Sequence, residues 1–368
     1  MARAAVLTAL DGPLVVRDDV EVDDPRAGEV RIRVAACGVC RSDLSMQDGT
    51  LPVPLPAVLG HEASAVIDAV GDGVTDLEPG DHVVVSWVPQ CGDCFFCRRG
   101  QPQLCQTSDV VLVAGGLLDG TPRLRLDGAP LFQMSGVGSF SDVTVIPASS
   151  AVRIPDDVPL DLAALLGCAV LTGVGAALNT ATIRPGDAVV VVGCGGVGLN
   201  VIQGARIAGA EVIVAVDVNP AKLALAEAMG ATVTVDATRL EPVNAVRDLT
   251  GQRGADVAFE ALGQGRTIDQ VLDMTRRGGQ AVLVGIPRMD VVLSVPAMLG
   301  IVLAERTIKG CWYGSSDIRR DIPRLVSLYR EGQLRLDQLV SRRIDLSDVN
   351  AALAALRSGD VARSVIVY

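Results

Sequence analysis

Positive charge is scarce in this chain of 368 residues: 32 Lys and Arg stand against 43 Asp and Glu, a formal net charge of -11. The cations are scattered singly, with no polybasic run. Phosphate-rich surfaces would be repelled, so nucleic acid and anionic membrane are excluded as expected partners. Aromatic residues make up only 3%. That bears on the best candidate for a membrane span, Leu162 to Ile183 (LAALLGCAVLTGVGAALNTATI), which is uncharged and long enough. It has no Trp or Tyr belt and is rich in Ala, Gly and Thr rather than Leu, Ile and Phe, so a buried helix is expected instead. The first residues, MARAAVLTALDGPLVV, lack the continuous apolar core and small-residue cleavage site of a secretory leader. A cytoplasmic location is the resulting expectation. No internal repeat or low-complexity segment is present. Histidine is rarest of the metal-binding types, with only His61 and His82.

Cysteine, by contrast, is plentiful and clustered, with nine in the chain. In a reducing compartment such clustering points to metal rather than disulfides. Cys91, Cys94, Cys97 and Cys105 follow the spacing Cx2Cx2Cx7C, which lets successive turns aim four thiolates at one tetrahedral ion. Four sulfurs leave no open position, so this is read as a structural zinc site. An iron–sulfur reading shares the first three cysteines but requires a shorter spacing to a Cys-Pro, and Gln106 follows Cys105 here.

A second group is looser. Cys40 lies in Cys37-Gly38-Val39-Cys40-Arg41-Ser42-Asp43, and His61 lies in Gly60-His61-Glu62. Both types bind zinc, and Asp43 and Glu62 are close enough in sequence to serve as acceptors behind the ligands. Cys37 with Cys40 also spells CxxC, a possible redox pair, although nothing nearby resembles a thioredoxin unit. Cys168 reads, on local grounds, as a buried apolar thiol.

Length makes two domains the natural expectation. Residues up to about 169 are Val-rich, with short strand-like runs separated by Gly and Pro turns, the pattern of a mostly β unit. Strand and turn are also expected from Val110 to Pro147. Beyond it, Ala188 to Val192 is a wholly apolar β-branched run that enters Gly193-Cys194-Gly195-Gly196-Val197-Gly198. Gly193 permits the turn, Gly195 lets the backbone approach a pyrophosphate, and Gly198 lets the helix pack on the strand. The anion would rest on free N–H groups where the helix starts, at Gly196 and Val197. Asp217 ends the next strand, where a carboxylate accepts hydrogen bonds from a ribose and disfavours a 2′-phosphate, so NAD is read rather than NADP. Strands and helices then alternate, including helices expected over Pro220 to Met229 and Arg266 to Arg277, which gives a six-stranded parallel sheet wrapped by helices.

Together these motifs resemble the zinc-containing medium-chain dehydrogenases, and more narrowly the liver-type alcohol dehydrogenases, over essentially the whole chain. The resemblance implies a Rossmann doubly wound sheet (170-312) inserted in a mostly β, GroES-like catalytic domain (1-169 with 313-368). It implies that Cys40, His61 and Cys168 hold a catalytic zinc, so that each subunit carries two zincs and uses NAD. Ser42 would take the alcohol proton. Arg41 and Arg363 would meet the pyrophosphate, and Lys222 the adenosine ribose. Similar proteins with a long segment between Cys105 and Phe140 are usually homodimers. By alignment, Leu51, Trp87, Leu104, Val110, Met134, Ile286 and Trp312 would line an apolar substrate pocket, suited to an aromatic, allylic or medium-chain primary alcohol.

Two positions depart from the family. Ser45 stands where well-known members have a histidine that passes the proton outward. Asp109 stands where members acting on the formaldehyde–glutathione adduct have an arginine, and would repel that adduct's carboxylate. Three other readings remain: oxidation of another aldehyde–thiol adduct, reduction of an aldehyde or conjugated double bond, or a non-catalytic zinc- and dinucleotide-binding role.

Overall fold

The computed structural model describes residues 1–359 and 362–368. The chain divides into two compact units: Met1–Ala169 with Asp317–Gly332 and Leu336–Tyr368, and Val170–Ser316 with Gln333–Arg335.

In the first unit, strands Ala2–Leu7, Val15–Val22, Leu124–Leu126, Ala129–Gln133 and Ala57–Val58 close a small barrel. A larger sheet is built on Glu29–Gly38, whose Val30, Ile32 and Val34 alternate inward between Arg31 and Arg33. This strand pairs antiparallel with Glu62–Val70, from Val30 opposite Val70 to Gly38 opposite Glu62. The register matters for the site, because the loop leaving Gly38 starts beside His61. Ser364–Val367, from the far end of the chain, pairs along the same strand.

Two expectations fail in this region. Ser108–Ala114 is a helix rather than strand and turn, closed by Gly115 in the left-handed conformation (φ 63). Its β-branched valines favour a strand by propensity, and the turn of chain capped at Gly115 overrides them. The expected buried helix over 162 to 183 is also not continuous. It breaks into Leu160–Ala163, a tight turn over Ala164–Gly167, the helix Ala169–Gly175 and a wide turn over Ala176–Thr180. The break is Cys168, at φ -144 and ψ -78. Gly167 approaches the neighbouring strand so closely that a Cβ would lie 2.4 Å from the Val85 carbonyl oxygen. Among the described residues no single helix is long and apolar enough to cross a membrane.

The second unit carries six parallel strands: Ala188–Val192, Val212–Asp217, Val233–Asp236, Ala255–Glu260, Thr275–Leu283 and Thr307–Gly310. Counted along the chain, their order in the sheet is three, two, one, four, five, six. This is a Rossmann sheet in an α/β protein. The first strand is buried on both faces, as its unbroken apolar run requires. The helix expected from Arg266 to Arg277 spans Gly265–Met274 instead. Thr275 turns extended and enters the next strand, while its hydroxyl donates to the Val271 carbonyl and closes the helix. The Gly278-Gly279 pair is therefore not a helix stop but part of an irregularity within the strand, where Thr275 pairs with Ala255 and Gln280 with Val257.

Candidate active site

The helix Arg41–Gln47 begins at Cys40, whose extended backbone makes it the cap. Asp43, in its first turn and fully buried, organises the surroundings. Its Oδ2 accepts the Cys40 N–H at 2.7 Å, and its Oδ1 accepts the Gly60 N–H at 3.1 Å and faces His61 Nδ1 at 3.1 Å. One carboxylate thus ties two loops. With Nδ1–H on Asp43, the Nε2 lone pair of His61 is left for a metal.

The third member arrives from the break in the helical run. Ligand atoms of Cys40, His61 and Cys168 lie within 4.8 Å of one another, and all three residues are buried. The hydrogen bond from Cys168 holds the Cys40 thiol well below its usual range, against the effect of burial and with help from Arg363 and His61. The same bond, with burial, pushes Cys168 up. Burial opposes protonation of His61, but Asp43 and Cys40 raise it above the ordinary histidine value. Two sulfurs and one imidazole nitrogen form a set that suits zinc and leaves a fourth position open.

The other cluster, Cys91, Cys94, Cys97 and Cys105, also brings its sulfurs within 4.8 Å. Backbone N–H groups point at these sulfurs: Asp93 and Cys94 donate to Cys91 at 3.4 and 3.3 Å, and Cys91 donates to Cys105 at 3.4 Å. The N–H groups of Cys97 and Gln106 hold the Cys94 thiol down at about 6. Such a pocket is prepared for thiolates and is closed by four of them.

In the second unit, Gly193 takes φ 96 and donates its N–H to the Val216 carbonyl. The helix Gly196–Ile207 follows, capped at Gly195. Asp217 accepts the Cys194 N–H at 2.7 Å and, on its other oxygen, the N–H groups of Val218 and Asn219. It thereby fixes the glycine turn to the end of the second strand. Lys222 lies within electrostatic reach of Cys194.

Ser42 is half-buried in the first turn after Cys40, and Arg41 beside it is exposed. Ser45 is half-buried one turn on, its carbonyl accepting the Leu51 N–H. Trp87 packs edge-on to His61, with ring centroids 6.2 Å apart. Leu51 is half-buried, Leu104 and Val110 are exposed, and Met134 is inside the hydrophobic core of the first unit. Ile286 is exposed and Trp312 half-buried in the second unit. Asp109 is exposed at the start of its helix. Arg363 is 4% exposed, with Nη1 donating to the Val39 carbonyl and Nε 3.4 Å from Glu62. The pairing of Glu62 with Arg363 has no local sequence signal, because the partners come from opposite ends of the chain.

Comparison with known proteins is consistent across the chain. Residues 26–156 match the family model described as an alcohol dehydrogenase GroES-like domain, and residues 196–331 match that described as a zinc-binding dehydrogenase. An S-(hydroxymethyl)glutathione dehydrogenase of Paracoccus denitrificans is 35% identical, the match covering 100% of this chain and 99% of that protein. Among solved structures, an alcohol dehydrogenase zinc-binding domain protein from Burkholderia ambifaria aligns with a TM-score of 0.94 at 35% identity, covering 100% of this chain and 98% of that one. Benzyl alcohol dehydrogenase from Acinetobacter calcoaceticus aligns with a TM-score of 0.94 at 32% identity, covering 100% and 99%.

Proposed function

Because the chain belongs to the zinc-containing medium-chain dehydrogenases, we propose that it oxidises primary alcohols of aromatic, allylic or medium-chain type to aldehydes, reversibly, with hydride transfer to NAD. The carrying observation is the buried trio Cys40, His61 and Cys168, with the Trp87 ring packed edge-on to its histidine. When bound there, zinc supplies Lewis-acid character that lowers the pKa of an alcohol in the open position. Cys40, His61 and Cys168 hold it, and Asp43 fixes the histidine tautomer. Ser42 takes the hydroxyl proton, and with Ser45 in place of the family's histidine the outward relay runs through water, ribose hydroxyls or another group. Trp87 sets an aromatic ring beside His61. Gly195, Gly196 and Val197 seat the pyrophosphate, Gly198 lets the helix pack on the strand, and Asp217 with Lys222 seats the ribose; the carboxylate favours NAD. Nicotinamide supplies the redox chemistry.

The Paracoccus denitrificans relative favours a second reading, oxidation of an aldehyde–thiol adduct. Asp109 weighs against a negatively charged adduct. Zinc-loaded protein should form NADH with benzyl alcohol, geraniol or hexanol faster than with ethanol or with the formaldehyde–glutathione adduct. Turnover confined to the adduct would replace the first reading with the second.

The working form is proposed to be a homodimer. Val291 to Ala304 contains no charged residue in a chain of net charge -11. Within and beside it Met289, Val292, Leu299 and Val302 are 90, 85, 69 and 67% exposed. The neighbouring strand Thr307–Gly310 ends the parallel sheet and, among the described residues, is paired on one side only. An apolar, charge-free surface beside a free strand edge suits a two-fold contact, because the same patch faces itself without repulsion. Sedimentation should give twice the chain mass for the natural protein and a monomer for Leu299→Asp/Val302→Asp. A monomeric natural protein would remove this reading.

A further inference from the structure

We infer that Glu260 is a positioning residue of the dinucleotide seat: its buried carboxylate holds the bend that leaves the fourth strand of the parallel sheet, and that bend bears on Gly193. The inference rests on the reading that the glycine turn at 193–198 seats a dinucleotide.

The strand order places Glu260. The order reverses between the first strand and the fourth, and in such a sheet the crevice outside the carboxyl ends of those two strands is where a ligand binds. Glu260 is the last residue of the fourth strand, in register with Val192, the last of the first. The Ala261 N–H donates to the Val192 carbonyl at 2.9 Å, so the two chains leave the sheet side by side. Glu260 is fully buried there.

Its carboxylate folds the next segment around itself. Oε1 accepts the N–H groups of Leu262 and Gly263 at 3.0 and 2.9 Å and the Thr267 hydroxyl at 2.6 Å, and Oε2 shares the Gly263 N–H at 3.0 Å. Thr267 stands in the first turn of the helix Gly265–Met274, the end that suits negative charge. The Glu260 carbonyl accepts the Val284 and Gly285 N–H groups at 2.8 and 2.9 Å, which brings in the exit of the fifth strand. One residue therefore binds the bend, the next helix and the next strand. Packing carries that hold to the glycine turn. A Cβ on Gly193 would lie 2.5 Å from Leu262 Cγ, and one on Gly263 would press on the Ile286 carbonyl. Wedged between these neighbours, the bend transmits any displacement to Gly193. A wall fixed in this way before the ligand arrives lowers the ordering cost of binding.

The test uses the full-length, zinc-loaded protein as Glu260→Gln, Glu260→Asp and Thr267→Val. The first keeps the shape but turns one acceptor into a donor, the second draws both acceptors back by one methylene, and the third removes one donor. Val246→Ala is the control, because it opens a cavity in the core of the same unit and leaves these hydrogen bonds in place. NADH affinity is measured by fluorescence titration, stability by thermal unfolding, and KM for NAD and kcat with benzyl alcohol. Glu260→Gln and Glu260→Asp should each weaken NADH binding by about tenfold or more and raise KM for NAD in step, while kcat does not fall. Thr267→Val should lose less in the same direction. Val246→Ala should unfold at lower temperature with natural NADH affinity. If the Glu260 variants do the same as that control, Glu260 serves the fold alone and the inference is overturned. Should they fail to fold, Thr267→Val decides by the same measurements, natural NADH affinity again overturning the inference. Natural protein that gives no NADH titration would instead overturn the underlying dinucleotide reading.

Discussion

Cys168→Ser should lower alcohol turnover by at least about a thousandfold, equivalent to roughly 4 kcal/mol in the barrier. Zinc should fall from two per chain to one. The size of the effect follows from what the residue contributes. A serine hydroxyl is a poor substitute for a thiolate as a zinc ligand, and the remaining two ligands fall short of the three that a catalytic zinc site uses. The fold should survive, since the break around Cys168 is held by other groups. Gly167 is pressed against the Val85 carbonyl, and the Ala169 N–H is bound by Glu62. Loss of activity with near-natural thermal stability is thus the expected combination. Cys97→Ser should do the reverse in stability, because it opens a lobe whose sulfurs are the organising contacts. NADH formation followed by absorbance, with metal analysis of the same samples, checks both. Undiminished turnover in Cys168→Ser would remove this centre from the chemistry.

How much of this was legible before the structure depended on the range of the interactions involved. The four-cysteine lobe was readable because its geometry is set by spacing within a few turns. The strand, glycine turn, helix and Asp217 were readable for the same reason, since every contact there lies inside one βαβ unit. The six parallel strands follow from the same alternation, whereas their order in the sheet does not. Failures occurred where a distant segment decides the local conformation. Leu162 to Ile183 has a composition that suits one helix, and the break at Cys168 comes from Gly167 meeting a strand some eighty residues earlier in the chain. Gly278-Gly279 looks like a helix stop, and pairing with Ala255–Glu260 makes it a strand irregularity. Arg363 carried a role by resemblance alone, and its burial beside Glu62 depends on Ser364–Val367 pairing with Glu29–Gly38. No window of sequence contains both ends of that contact.

The glycines of the dinucleotide turn allow close approach to a ligand to be separated from close packing of the fold. Gly195→Ala should leave stability unchanged and weaken NADH binding by about tenfold or more, roughly 1.4 kcal/mol. Gly195 has φ -79, which any residue adopts, and a Cβ there would meet nothing within 4 Å. The protein itself has no need of a glycine at this position. Open space before a helix N-terminus is where a pyrophosphate would approach, and a methyl group would occupy it. Gly198→Ala should instead damage the fold, because its Cβ would lie 1.8 Å from the Gly193 carbonyl oxygen, a backbone atom that cannot rotate away. Helix and strand must separate to admit it, an overpacking cost of about 3 kcal/mol that would lower the melting temperature by roughly 10 °C. NADH binding would fall as a consequence of that disruption. The two variants share one binding phenotype and differ in stability, so fluorescence titration and thermal unfolding must be read together. Full NADH affinity in Gly195→Ala would move the pyrophosphate seat away from this turn, even if Gly198→Ala melts as expected.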